Sequence, residues 1–213
     1  TMDHPAWRPA FHIAPQHGWI NDPNGLCHYR GRYHAFYQYT HDWPGSELRS
    51  WGHATSTDLL TWIDEGEALS PDTPEDRTGV WSGCAMIADG GRRMDIYYTG
   101  NVVLEGDYDH VHDGREANQI LVTSEDGRSF SKKRVLMRPS DYPSTCTRHV
   151  RDPKVWEEGG ELWMLLGARN RDGCGEALVY RSDDGVAWTH HHTIRSREPL
   201  GYMWECPNIV ALE

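Results

Sequence analysis

Three short acidic motifs stand far apart in this chain: Asp22 in WINDPNG (19–25), Asp152 in RDP (151–153) and Glu205 in WECP (204–207). Asp22 and Asp152 each precede a proline, and Glu205 stands one step before Cys206-Pro207. Carboxyl groups do acid–base and nucleophilic chemistry when their neighbours push their pKa values apart. Their oxygens equally suit calcium, and the spacing leaves that open. A single Asp-Pro is ordinarily turn or capping chemistry. Three acids matter together only if the fold converges them.

The elements that carry them read as all-β. Short runs rich in Tyr, Val, Ile and Trp alternate with Gly, Asp, Asn and Pro clusters, and no long amphipathic helix pattern intervenes. STDLLTW (56–62), SEDGRSF (124–130) and SDDGVAW (182–188) share one template: Ser, any residue, Asp, three residues, an aromatic. Each follows a short strand (GHAT, ILVT, LVYR), which predicts a tight Asp turn and a return strand whose aromatic packs inward. GRYHAFYQY (31–39), RRMDIYYTG (92–100) and GELWMLLGA (160–168) supply middle strands. NDPNGLCHY (21–29), WSGCAMI (81–87) and RDPKVWE (151–157) open the units. Four strands repeating at roughly 60 residues read as propeller blades, longer than the roughly 40–50 residues of common ones. Three full blades are predicted in one partial domain over 1–213, with the first strand of a fourth at WECPNIVAL (204–212). Inner strands line a propeller's channel and start at one end of it. Asp22, Asp152 and Glu205 are therefore expected at one mouth of one funnel.

Bulk properties narrow the ligand. The net charge of -11 with no basic run argues against nucleic acid and against an anionic membrane surface. LWMLLGA, the longest apolar stretch, is too short to span a bilayer, and TMDHPAWRPAF lacks the pattern of a secretory signal. Cys27, Cys84, Cys146, Cys174 and Cys206 are odd in number and irregular in spacing. They predict free thiols in a reducing cytoplasm, with neither a disulfide framework nor paired C-x-x-C. Ten Trp and ten Tyr against three Phe suit packed sheets and sugar-binding surfaces alike.

WINDPNG, RDP and WECP, in that order, resemble the signature set of glycoside hydrolase family 32, the β-fructofuranosidases. FYQY, SWGHATSTDLLTW, GVWSGCA and YYTGN strengthen the likeness, particularly to bacterial sucrose and sucrose-6-phosphate hydrolases. It runs from about Pro15 to the last residue. The resemblance implies a five-bladed β-propeller followed by a C-terminal β-sandwich, of which this sequence would hold about three blades and the opening of a fourth. It implies retaining hydrolysis of terminal β-fructofuranosyl bonds in sucrose, sucrose 6-phosphate or short fructooligosaccharides, with a small sugar as partner and neither cofactor nor metal.

By the same resemblance, Asp22 matches the nucleophile, Glu205 the acid/base and Asp152 the transition-state stabiliser. Arg151 would keep Asp152 ionised, and Asn21, Gln38, Trp81 and Ser82 match the fructose pocket. A retaining pair needs its carboxyls roughly 5–5.5 Å apart. Backbone N–H groups of the turn holding Pro23, Asn24 and Gly25 are expected to keep Asp22 charged, and Trp204 to raise the pKa of Glu205. The chain departs from the family after FYQY. THDWPGSELRSWGHA stands where Asn-Pro and a pocket Trp often follow, which makes Trp43 the candidate for that place.

Two rivals stand beside this reading: an inverting five-bladed glycosidase acting on arabinan or xylan, and a non-catalytic or inactive sugar-binding propeller. DYDHVHD (107–113), HHH (190–192) and Cys146-x-x-His149 are read as solvated or structural rather than metal-binding. Arg134, Arg138 and Arg148 could bind a phosphate, though scattered surface arginines are the simpler account. Trp62, Trp156, Trp163 and Trp188 fall on strand templates and read as blade core.

Overall fold

The structure, a computed structural model, describes residues 8–9, 11–110 and 112–210. Its strands fall into three sets of four. Blade I holds β1 (Trp19–Tyr29), β2 (Arg32–Thr40), β3 (Ser50–Ser56) and β4 (Ile63–Leu69). Blade II holds β5 (Gly79–Ala88), β6 (Arg93–Val103), β7 (Arg115–Ser124) and β8 (Arg134–Met137). Blade III holds β9 (Cys146–Glu158), β10 (Glu161–Asn170), β11 (Gly175–Ser182) and β12 (Thr189–Ile194). Each blade is an antiparallel meander in chain order. The inner strands β1, β5 and β9 pack side by side. The all-β propeller architecture expected from the repeat is what the chain forms. Among the described residues no helix is long and apolar enough to cross a membrane.

The Ser-x-Asp template closes all three blades by one local device. Ser56, Ser124 and Ser182 each donate their hydroxyl to the aspartate two residues on, at 3.0–3.1 Å. The carboxylates of Asp58, Asp126 and Asp184 accept the backbone N–H groups two and three residues ahead, which reverses the chain. Those N–H donors hold all three carboxyls below the usual range, Asp58 at about 2. The turn then needs a left-handed residue, supplied by Gly127 and Gly185 in blades II and III and by Leu59 (φ 64°) in blade I.

The turns of blades II and III also wedge into the preceding blade. A Cβ on Gly127 would meet His34 of β2 at 2.7 Å, and one on Gly185 would meet the Tyr97 hydroxyl of β6 at 2.9 Å. The template aromatics follow: Phe130 meets Phe36 edge-on at 6.0 Å, and Trp188 meets Tyr97 likewise at 6.2 Å. Two interblade cores result. Phe36, Trp51, Ile96, Tyr98 and Ile120 join blades I and II, while Tyr97, Val155, Met164, Leu166 and Leu178 join II and III. Trp62 packs on Tyr37, Tyr39 and Ala54 at the outer face of blade I. Trp156 and Trp163 differ from expectation: they stack on each other at 6.5 Å, half-buried, on the face of blade III turned away from blade II.

The segment predicted as a fourth opening strand takes a different form. Residues 204–210 lie against blade III without strand structure, and 211–212 fall outside the described residues. A strand exists by pairing, and no described strand offers this segment a partner.

Candidate active site

Each inner strand carries a β-bulge at the same height. Ile20 pairs with Tyr39 and Pro23 with Tyr37, so Asn21 and Asp22 oppose Gln38 alone. In blade II, Trp81 and Ser82 oppose Thr99; in blade III, Asp152 and Pro153 oppose Leu166. A bulge bends its strand and re-aims side chains. It explains the Asn, Asp and Pro inside β1: Asn21 and Asp22 form the bulge and Pro23 resumes the pairing, within a continuous strand where the sequence suggested a turn.

The three bulges face a cavity of about 510 Å³ lined by Asn21, Asp22, Gln38, Trp81, Ser82, Arg151, Asp152 and Glu205, with Trp19, Arg49 and Cys206. Of the predicted site residues only Trp43 is not among the lining. Its ring lies 5.9 Å from that of Trp19, one step behind the wall.

Asp22 is half-buried, and its Oδ2 accepts the Ser82 hydroxyl at 2.7 Å. Gln38 donates its amide to the same Ser82 oxygen at 2.8 Å. The expected backbone N–H donors are replaced by this hydroxyl, because the bulge turns the carboxylate away from its own strand. Asn24 instead braces the bulge: its amide donates to the Asp22 carbonyl at 3.1 Å, and its Oδ1 accepts the Gly83 N–H at 3.1 Å.

Asp152 is buried and sits at φ 62°, an uncommon conformation for a non-glycine residue, and costlier still ahead of a proline. Its backbone N–H donates to Thr99 Oγ1 at 3.0 Å, and its Oδ2 accepts the Cys206 N–H at 2.9 Å. Burial raises its pKa to about 6; the Cys206 N–H and Arg151 oppose that shift, while Glu205 and Asp22 add to it.

Arg151 acts on Asp152 as expected, lowering its pKa, and takes Glu205 as a second, closer partner. Its Nε and Nη2 donate to Glu205 Oε1 at 3.2 and 2.6 Å, whereas Asp152 Oδ2 stands 3.9 Å away. Its Nη1 donates to His149 Nδ1 at 2.9 Å, and its guanidinium lies 5.4 Å from the Trp81 ring centre. The neighbour of the Glu205 carboxylate is thus a cation, and Trp204 provides no apolar wall. A Cβ on Gly175 would stand 2.3 Å from the Trp204 ring, so that glycine lets the indole settle against β11, where it donates to the Leu200 carbonyl at 2.7 Å.

Several site residues escaped the sequence reading. Cys206 holds Asp152 through its N–H and places Sγ 3.9 Å from Asp22 Oδ2; enclosure and the two aspartates push its thiol up to about 12, so it stays a weak donor. His149 is buried, and burial beside Arg151 and Arg115 drops its pKa to about 4. The neutral ring donates from Nε2 to the His110 carbonyl at 2.9 Å and accepts Arg151 at Nδ1. Arg115 lies 5.2 Å from the other contact of Arg151, the Trp81 ring. Only the pairing of Cys206 with Pro207, matching Asp22-Pro23 and Asp152-Pro153, carried a signal in the sequence.

The remaining candidates lie elsewhere. Arg138 pairs with Glu75, and Arg134 lies beside Asp184 on blade III. His190, His191 and His192 are exposed on β12. Among the described residues no three His, Cys, Asp or Glu side chains are grouped to hold a metal ion.

Comparison with known proteins agrees with this geometry. The family model of the glycosyl hydrolases family 32 N-terminal domain matches residues 12–213. The raffinose invertase of Escherichia coli is 43% identical over 208 residues, covering 95% of this chain and 41% of the relative. Sucrose-6-phosphate hydrolase from Lactobacillus gasseri superposes with a TM-score of 0.86 at 32% identity, over 97% of this chain and 41% of that one. A Bombyx mori β-fructofuranosidase mutant in complex with sucrose gives 0.82 at 32% identity, over 98% and 42%. The chain therefore spans about 41% of the length of the relatives it matches. With inner-strand bulges presenting Asp22 and Asp152 and the WECP segment bringing Glu205 into the same cavity, this chain belongs to glycosyl hydrolases family 32.

Proposed function

We propose that the protein containing this chain is a retaining β-fructofuranosidase of the cytoplasm, cleaving terminal fructosyl bonds of sucrose, sucrose 6-phosphate or short fructooligosaccharides. Residues 1–213 are its partial catalytic propeller domain. The observation that carries the reading is the convergence of Asp22, Asp152 and Glu205, from three distant motifs, on one cavity.

Each role follows from the surroundings. A nucleophile must be ionised and held, and Asp22 has one oxygen fixed by Ser82 and the other without a described donor. That second oxygen bonds to the anomeric carbon as the glycosidic C–O bond breaks. Glu205 gives its proton to the leaving oxygen and afterwards takes one from water. Arg151 occupies Oε1, so Oε2 is the oxygen available to carry that proton. Asp152, above its pKa of about 6, accepts fructose hydroxyls and steadies the positive charge that develops on the ring. Asn21, Gln38, Trp81, Ser82 and Arg151 shape the fructose pocket, with Trp43 behind it.

The test is fructose release from sucrose by the full-length protein, with the anomer of the first product read by NMR. Retention with loss of activity in Asp22→Asn supports the assignment. First-formed inverted product would transfer it to the inverting propeller glycosidases, and binding without turnover to a non-catalytic module.

A further inference from the structure

Arg49 is a cation of the cavity wall with no ion-pair partner among the described residues. It lies in the nine-residue connection between β2 and β3 and ends it, one residue before the ladder of blade I resumes. Its Nη1 donates to Thr40 Oγ1 at 2.9 Å and to the Glu47 carbonyl at 2.7 Å. Its own carbonyl accepts the Val80 N–H at 2.8 Å, which ties the residue to blade II. The guanidinium carbon rests 4.2 Å from the Trp19 ring centre and 5.8 Å from that of Trp43. The side chain is therefore oriented before any ligand arrives, while Nε and Nη2 meet no acceptor among the described residues.

Among the described residues, the one other arginine lining the cavity, Arg151, is held to Glu205. In a chain of net charge -11, an unneutralised guanidinium lining a substrate cavity is an exception that calls for a ligand. Its unused edge presents two N–H donors in the fork that matches a phosphate or carboxylate. Trp19, which lines the cavity with it, holds the guanidinium over its ring.

We propose that Arg49 recognises a phosphate monoester on the sugar that leaves, and so sets the preference of the cavity for a phosphorylated over a neutral disaccharide. The inference rests on the glycosidase reading above for what the cavity holds. Arg49 touches none of the three carboxyls, so it acts on the choice of sugar and takes no part in proton transfer.

The experiment compares kcat/KM for sucrose and for sucrose 6-phosphate in the full-length protein, as wild type, Arg49→Gln and Arg49→Lys. A charge-assisted hydrogen-bond pair converts to a loss in Arg49→Gln about 10- to 100-fold greater on sucrose 6-phosphate than on sucrose, mainly through KM. Arg49→Lys should recover part of it. Equal losses on the two sugars, or the larger loss on sucrose, would overturn the proposal and leave Arg49 as a brace for Trp19. A second arm needs no turnover: calorimetry with glucose 6-phosphate and glucose. Wild type should bind the phosphorylated sugar more tightly and Arg49→Gln should lose that preference; binding that the substitution does not change overturns the proposal. Absence of fructose release from both sugars in wild type would overturn the reaction instead, and the binding arm would still decide the role of Arg49.

Discussion

Asp22 in blade I and Asp152 in blade III occupy the same place, the bulge of an inner strand, one residue ahead of a proline. Asp22 is half-buried, outside the left-handed region, and bonded to a hydroxyl. Asp152 is buried, left-handed at φ 62°, and bonded to a backbone N–H. The closing turns of the two blades diverge the other way. Gly185 relaxes the turn of blade III at φ 74°, while blade I carries Leu59 in the same conformation at φ 64°. One template thus fixes where a residue stands, and the neighbouring blade fixes what it can do there. Asp22 faces the open cavity, with one oxygen held by Ser82. Asp152 is enclosed between Thr99 and Cys206, where charge is costly and position is firm.

The sharpest way to break this contrast is to neutralise each acid in turn. Asp22→Asn should lower fructose release by at least about 10⁴-fold, as loss of a nucleophile does. Asp152→Asn should cost about 10²- to 10³-fold, the scale of one lost electrostatic contact in the transition state. Initial rates measure both; equal losses would erase the distinction drawn here.

A titration sharpens it further. Asp152 holds its proton up to about pH 6 in the folded protein, against the usual 3.8. The folded state therefore binds this proton more tightly than the unfolded chain, and the group's contribution to stability is present below about pH 4 and lost as pH rises through 6. The change amounts to about 3 kcal/mol. Urea denaturation across that window should show wild type losing stability relative to Asp152→Asn as pH rises. Activity should fall in the opposite direction, on the acid side of about pH 6, because the stabiliser is needed ionised.

The turns give the smaller effects. Gly185→Ala places a methyl at φ 74° and 2.9 Å from the Tyr97 hydroxyl, and should destabilise by about 1–3 kcal/mol. Leu59→Gly removes left-handed strain at an exposed position and should stabilise by about 0.5–1 kcal/mol. Thermal melts of the two variants should move in opposite directions.

The strands, the three-fold repeat and the convergence of the acids were legible because they rest on local signals: alternation, Asp turns and Pro-marked openings. What escaped depends on contacts between distant segments. Nothing in RDP tells that Arg151 will also reach Glu205, or that Ser82 will hold Asp22. Trp204 seemed to flank Glu205 because they adjoin in sequence, but a missing Cβ at Gly175 draws the ring aside. The bulges were hidden in plain view, since two consecutive polar residues inside a strand read equally well as a turn. Arg49 stands within a polar stretch and belongs to no motif that marks it.

Ser82 bonds a residue 60 positions earlier in the chain, and Cys206 reaches back 184 positions to the same carboxylate. During synthesis Asp22 is made first, Ser82 next and Cys206 much later. At 5–20 residues per second, roughly 10–40 s separate the appearance of Asp22 from that of Cys206. The nascent chain therefore carries the Asp22 carboxylate through most of the building of this region before the contacts that fix it exist.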